Sequence, residues 1–128
     1  MFGKKKRTGI PVMHYEGLDF PQDILCQIEI LDNTFVITRV KPETRITLPL
    51  SQVKAFSAVE EARFMLKYHG EAATTSKAKG IEKFYLVVDY TSKNGTAERL
   101  AFWGTAFEYG KFLDLQRMEL TGKQEYSL

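Results

Sequence analysis

The sequence predicts a mainly β domain that ends in one α-helix. Apolar and polar residues alternate in short runs, as they do in half-buried strands. Turn-forming residues separate these runs, and only the last segment combines a helix N-cap signal with a helical period. A chain of 128 residues with 44% hydrophobic and 27% charged side chains has the size and composition of one such domain.

The sequence pattern in the first half of the domain predicts a meander of four strands. We interpret residues 1–11 as a flexible basic lead that ends in Gly and Pro, and we expect order to begin near Val12. Asp32-Asn33 separates the first two alternating runs, as in a tight hairpin. The predicted strands are Ile24 to Leu31, Thr34 to Val40, Arg45 to Leu50 and Val53 to Val59.

The second half predicts a further strand, a loop and a closing hairpin. Glu60 to Gly70 carries both strand and helix signals, and we assign it to a strand on its run of Phe, Met, Leu and Tyr. The small and polar residues from Gly70 to Gly80 predict a mobile loop without the order of a phosphate-binding motif. Phe84 to Tyr90 and Ala97 to Trp103 then predict an antiparallel pair.

The last element is a predicted helix that begins at Thr105. Thr105 and Glu108 have the spacing of a capping box, in which each side chain satisfies a backbone amide of the other. Two apolar sides follow from the helical period. The side expected to face the sheet holds Ala106, Tyr109, Gly110, Leu113 and Leu120, and the other holds Phe107, Leu115 and Met118, with Phe112 between them.

Four segments of the sequence are distinctive, namely GIPVMHYEGL, FPQDILCQIEIL, RVKPETRITLPLSQVKAFSAVEE and LAFWGTAFEYGKFLDL. Together they resemble the bacterial pleckstrin-homology-like (PH-like) family of uncharacterised Firmicutes-type proteins. The resemblance implies two roughly orthogonal antiparallel sheets in a barrel or sandwich capped by the helix, with the domain at 12–120 and a tail at 121–128. It does not imply lipid specificity, because the first hairpin turn, Leu31-Asp32-Asn33-Thr34, is acidic where lipid-binding members are basic.

The charge pattern argues against nucleic-acid binding. The 18 basic and 16 acidic residues give a net charge of +2, but four of the basic residues stand together in the lead. The body therefore has a net charge of about −2 and no overall basic field for a phosphate backbone. The alternative that this lead supports is peripheral binding to an anionic membrane surface through Lys4, Lys5, Lys6 and Arg7.

The presence of a single cysteine limits which kinds of functional site the chain can hold. Cys26 lies on an aliphatic strand face, where we expect a buried core side chain and not a nucleophile. One cysteine excludes an internal disulfide and a multi-cysteine zinc site, which favours a cytoplasmic location and no cofactor. We expect no membrane span, because no uncharged apolar run approaches the required length.

The two histidines support only a third, enzymatic hypothesis. In extended segments His14 would share a face with Glu16, and His69 with Glu71. An enzyme would need His14, His69 and an acid to meet in one pocket. Without a third partner at ligand spacing, we interpret both as surface histidines at strand ends.

The sequence thus predicts a non-catalytic scaffold or interaction module. It would bind protein partners or self-associate through a sheet edge, the helix or the 70–80 loop, with no specific small molecule. The candidate interface residues are Phe107, Leu115 and Met118, which either pack on the 60s segment or form an exposed patch.

Overall fold

The computed structural model describes residues 9–70 and 80–118, and in these residues seven antiparallel strands form one open sheet. The strands are β1 (Ile10–Glu16), β2 (Ile24–Leu31), β3 (Thr34–Arg39), β4 (Thr44–Pro49), β5 (Val53–Glu60), β6 (Phe84–Thr91) and β7 (Ala97–Gly104), and the helices are α1 (Glu61–His69) and α2 (Ala106–Arg117). The sheet order is β4-β3-β2-β1-β7-β6-β5. The prediction of a mainly β domain with a C-terminal helix is confirmed.

Strand β1 occupies the middle of the sheet and joins its two halves. On one side it pairs with β2, where Val12 lies opposite Cys26, and on the other it pairs with β7, where Met13 lies opposite Trp103. The pairing with β7 shifts register between His14 and Glu16. Strand β1 begins at Ile10, two residues before the predicted start near Val12. The predicted division into two orthogonal layers stays a prediction, since hydrogen bonding runs through all seven described strands.

The tight hairpin predicted at Asp32-Asn33 is confirmed. Both residues have positive φ, 48° and 62°, which is the conformation of a type I′ turn. Short polar side chains tolerate this left-handed region better than branched ones. The turn therefore sets the β2–β3 register, in which Leu31 lies opposite Thr34.

The prediction of a strand over Glu60 to Gly70 is wrong, because this segment is helix α1. Glu61 and Phe64 are its buried residues, and their spacing of three residues is helical. Good helix formers fill the first turn, and Gly70 ends the helix in the left-handed region at φ 67°. The helical period of the buried residues outweighed the local strand propensity.

Helix α2 begins where the capping box predicts. The Glu108 carboxylate accepts hydrogen bonds from the backbone N and the Oγ1 of Thr105, both at 2.7 Å. Gly104 allows this contact, because a Cβ there would lie 2.8 Å from the Cβ of Glu108. The helix ends at Arg117, and Leu120 lies outside the described residues.

The predicted inner side of α2 is partly wrong. Ala106 and Gly110 are exposed, and a Cβ on Gly110 would meet no atom within 4 Å. Tyr109, Phe112 and Leu113 contact the core instead. The side of α2 that faces the sheet is therefore centred on the fully buried Phe112, and the helix is rotated about its axis relative to the predicted orientation.

Two apolar clusters hold the described residues together. The larger lies on the α2 side of the sheet and is built around the buried Cys26, Phe35, Phe56, Phe102 and Phe112. The smaller lies on the α1 side and holds Val59, Phe64, Tyr85, Val87 and Ala101. No helix among the described residues is long and apolar enough to cross a membrane.

Candidate functional site

The inner side of α2 fixes the helix on the sheet through rings and one hydrogen bond. The ring of Tyr109 stacks on Phe84 with centroids 4.2 Å apart, and Phe112 is completely buried in the larger cluster. Near the other end of the helix, the backbone N of Ala58 on β5 donates to Oε1 of Gln116 at 2.8 Å. This bond satisfies an amide at the β5 edge. The helix is therefore held along its length, and its outer side has a defined orientation.

The outer side of α2 exposes an aromatic ring among charges. Phe107 is 71% exposed, the largest exposure among the large hydrophobic side chains of the described residues. The Lys111 ammonium lies 4.6 Å from the centre of its ring. Farther along, Arg117 Nη1 lies 3.3 Å from Asp114 Oδ1 in a solvent-exposed ion pair. Such exposed pairs contribute little stability, so these charges are free to exchange partners.

An open depression lies beside the C-terminal half of α2. Its volume is about 460 Å³, and it lies between the start of β1 and the last two turns of the helix. Ile10, Leu115 and Met118 give it an apolar floor, since all three pack in part against the larger cluster. Its charged rim consists of Lys111, Asp114 and Arg117. An apolar floor with a charged rim is typical of protein-binding surfaces.

The structure divides the three predicted interface residues into two environments. Leu115 and Met118 are half-buried and line the depression, where they contact the larger cluster. Phe107 is exposed to solvent beside Lys111, about three turns before Met118. Sequence reasoning missed Ile10, Lys111 and Asp114. Positions 107, 111, 114 and 118 are spaced by four, three and four residues and therefore share one side of a helix. This spacing could have indicated that Lys111 and Asp114 lie on the same side as Phe107 and Met118.

The remaining predicted surface elements lie outside the described residues. Lys4, Lys5, Lys6 and Arg7 precede residue 9, and the 70–80 loop falls almost wholly within the gap at 71–79. Membrane contact through the lead stays a prediction.

His14 is a buried histidine, and its prediction as a surface residue is wrong. Its Nδ1 lies 3.0 Å from the carbonyl oxygen of Pro21, and its Nε2 accepts a hydrogen bond from the Leu18 N at 3.2 Å. Nδ1 must therefore carry the proton, since Pro21 offers only an acceptor. The ring packs edge-on against Phe20 and Phe102. Both nitrogens are used in holding the 17–23 loop on β1.

His69 lies on the opposite face of the sheet from His14. Its Nε2 is 3.2 Å from Oε1 of Glu16, so the histidine at the end of α1 pairs with β1 and not with a neighbour in sequence. Its ring contacts Tyr15 and Phe64 in the smaller cluster. Alternation along β1 turns His14 and Tyr15 to different faces. The structure thus does not bring the two histidines into one pocket.

The smaller cluster is an aromatic layer that holds α1. Phe64 stacks on Tyr85 at 4.1 Å, and Tyr15 meets both rings edge-on. Burial, and to a lesser extent the Glu61 carboxylate, raise the pKa of Tyr85. A tyrosine in this environment stays neutral and packs as a ring.

Cys26 is fully buried in the larger cluster, as predicted. Burial raises the pKa of its thiol to about 11, against a smaller opposing effect of Arg39. The protonated thiol is a poor nucleophile and a poor metal ligand. Within residues 9–70 and 80–118, no group of three His, Cys, Asp or Glu side chains is placed to hold a metal ion.

Comparisons with known proteins do not extend this picture, because no family model, curated protein or solved structure matches the chain.

Proposed function

We propose that the chain is a non-catalytic PH-like interaction module. The order of its elements supports this, since antiparallel strands followed by a C-terminal helix are the pattern of the family that the four quoted segments resemble. Helix α1 between β5 and β6 is an addition to the predicted pattern. In this proposal the sheet bends into two roughly orthogonal layers around the larger cluster, and α2 closes the open end.

We place the binding surface on the outer side of α2 and the adjoining depression. A 71% exposed Phe107 on a helix whose inner side is fully engaged is the observation that carries this proposal. A large aromatic ring loses little conformational freedom on binding and supplies much contact area, which is why such residues dominate binding energy at interfaces. The depression extends the surface with apolar floor and charged rim.

Substitution of Phe107 tests this surface. We expect Phe107→Glu to reduce binding to any partner recovered by affinity purification by about fivefold or more, since one lost aromatic anchor costs about 1–4 kcal/mol. The matched control is Leu66→Glu on α1, where an apolar side chain of similar exposure, 61%, lies away from α2. Partner recovery is measured by quantitative mass spectrometry, and circular dichroism checks that both variants fold.

The placement of the binding surface on α2 would be contradicted if Phe107→Glu retained every partner of the wild type. Equal loss in Leu66→Glu would also contradict it, because the effect would then follow from added charge anywhere on the molecule.

A second candidate function is peripheral binding to an anionic membrane through Lys4, Lys5, Lys6 and Arg7. The observation in its favour is the run of four basic residues attached to a body of opposite net charge. Each basic residue near an anionic surface contributes about 1 kcal/mol, so the run alone supports reversible binding.

A further inference from the structure

The outer side of α2 carries a four-residue stripe with internal symmetry. With about 100° of rotation per residue, positions 107, 111, 114 and 118 fall within one narrow sector of the helix. They are the exposed Phe107 and Asp114, the half-buried Lys111, and the C-cap residue Met118, which is half-buried at the depression and packs in part against the larger cluster. This sector is opposite to the buried Phe112 and the Gln116 that bonds β5. The spacing of four, three and four residues is that of the contact seam in paired helices.

From the N-terminal to the C-terminal end of the stripe, the side chains are apolar, positively charged, negatively charged and apolar. The two apolar residues and the two charged residues are centred on the same point, between Phe112 and Leu113. A two-fold axis through that point would place Lys111 against the partner's Asp114, and Phe107 against the partner's Met118. Every contact would occur twice, as an isologous interface requires. Ring and thioether contacts of the second kind are favourable.

We propose that a second copy of the chain binds this surface by antiparallel pairing of the two α2 helices. Charge complementarity selects the antiparallel arrangement, because a parallel pair would place Lys111 against the partner's Lys111 and Asp114 against the partner's Asp114. The exposed Asp114–Arg117 pair, at 3.3 Å, leaves the aspartate accessible to a new cation. This inference rests on the proposed function, since it names the partner of the same surface.

The size of the interface sets the expected affinity. Twelve residues of helix are about 18 Å long, so the pair buries at the low end of the range for specific interfaces, on the order of 1,000 Å². We therefore expect dissociation in the micromolar to millimolar range. The depression beside Leu115 and Met118 can accept side chains from the partner's helix end, which adds contact area without new charges.

Charge reversal tests the orientation. We expect Lys111→Asp to weaken the dimer about tenfold, because it sets like charges against each other twice, and Asp114→Lys to do the same. Combining both changes restores the pairs and should return the affinity to near the wild-type value. A mixture of the two single variants should also associate, since each supplies the charges that the other lacks. Sedimentation velocity over a concentration series up to about 1 mM measures these constants.

Engineered cysteines give an independent geometric test. Phe107→Cys mixed with Met118→Cys should give a disulfide-linked dimer on mild oxidation with diamide, whereas either variant alone should give little. The buried Cys26 does not compete. In a parallel dimer each variant would cross-link with itself, and that result would overturn the proposal.

Two further results would also overturn it, and they separate it from the proposed function. A wild-type chain that stays monomeric at about 1 mM removes the second copy as the partner. A dimer whose affinity does not change in any of the charge-reversal variants forms through another surface, which rules out pairing of the α2 helices. If Phe107→Glu still abolishes capture of a different protein, the interaction surface stands while the self-pairing fails. If neither effect is seen, both fail.

Discussion

Cys26 shows how a single strand position determines the chemistry of a side chain. It lies opposite Val12 in the β1–β2 pair, with no exposed area, and its burial followed directly from the alternation of apolar residues in β2. Burial in turn raises the pKa of the thiol to about 11. The position on the strand was thus enough to predict both location and low reactivity.

This pKa makes stability depend on alkaline pH. The folded pKa exceeds the unfolded value of about 8.5, so the folded state binds the proton more tightly. The stabilisation is complete below the unfolded pKa and is lost as pH rises through the folded one. We expect the free energy of unfolding to fall by about 2–3 kcal/mol between about pH 8.5 and pH 11. Urea denaturation at several pH values measures it.

The control for this pH dependence is Cys26→Ala, which should lose less stability over the same interval. Burial also raises the pKa values of Tyr85 and Tyr90, and their contributions have the same sign, so the informative quantity is the difference between variant and wild type. Equal losses in the two proteins would show that the thiol does not contribute.

His14 marks the limit of prediction at this scale. The sequence predicts a surface position at a strand end, but the burial of His14 depends on the loop that follows, where Pro21 and Leu18 supply an acceptor and a donor for its ring. No periodicity in sequence reveals which backbone groups a loop turns inward. The pairing of His69 with Glu16 was hidden for the same reason, since it joins two elements that are distant in the chain.

At the scale of elements, the two helices differ in how well local signals defined them. Helix α2 had an explicit start signal in Thr105 and Glu108, and its first residue was correctly predicted. Helix α1 lacked such a cap, and its run of aromatic and aliphatic residues also suits a strand. The deciding contacts are tertiary, since Phe64 stacks on Tyr85 from a strand that comes later in the chain.

Two glycines at α2 should respond in opposite ways to the same substitution. Gly104→Ala brings a Cβ to 2.8 Å from the Cβ of Glu108, so we expect it to displace the capping carboxylate and destabilise the protein by about 1–2 kcal/mol. Gly110→Ala meets open space in a helix interior and should stabilise it by up to about 1 kcal/mol. Thermal or urea unfolding of the pair measures both effects.

The Gly110 result also tests the rotation of α2. If Gly110→Ala destabilised the protein, the glycine would face the sheet as the sequence analysis expected. A neutral Gly104→Ala would show that the contact between Glu108 and Thr105 does not hold the start of the helix.

For the whole molecule, the sequence predicted the mainly β class, the terminal helix and a candidate surface, and it could not predict the site geometry. Strand alternation and turn residues are local signals, which is why six of the seven described strands, β2 to β7, were assigned close to their observed bounds, whereas β1 was not assigned as a strand. The depression beside α2 is lined by Ile10 and Leu115, which are more than a hundred residues apart in sequence. Such a contact follows from sheet order, which no local pattern encodes.

The membrane hypothesis concerns Lys4, Lys5, Lys6 and Arg7, which lie outside the described residues. We expect the full chain to sediment with vesicles containing phosphatidylserine at low salt, and a variant lacking residues 1–8 to lose most of this binding. Four charges at about 1 kcal/mol each correspond to about a thousandfold in partitioning, and salt should weaken it. Vesicles of phosphatidylcholine alone are the control. Undiminished binding without residues 1–8 would contradict a role for the lead.

The central place of β1 constrains how this chain is made. Its partner β2 is synthesised immediately after it, but its other partner, β7, is synthesised last of the seven described strands. One edge of β1 therefore stays without its sheet partner until residues 97–104 have left the ribosome. The chain cannot complete its fold progressively from the N-terminus, and a nascent chain that stalls before residue 97 exposes an edge open to unwanted pairing.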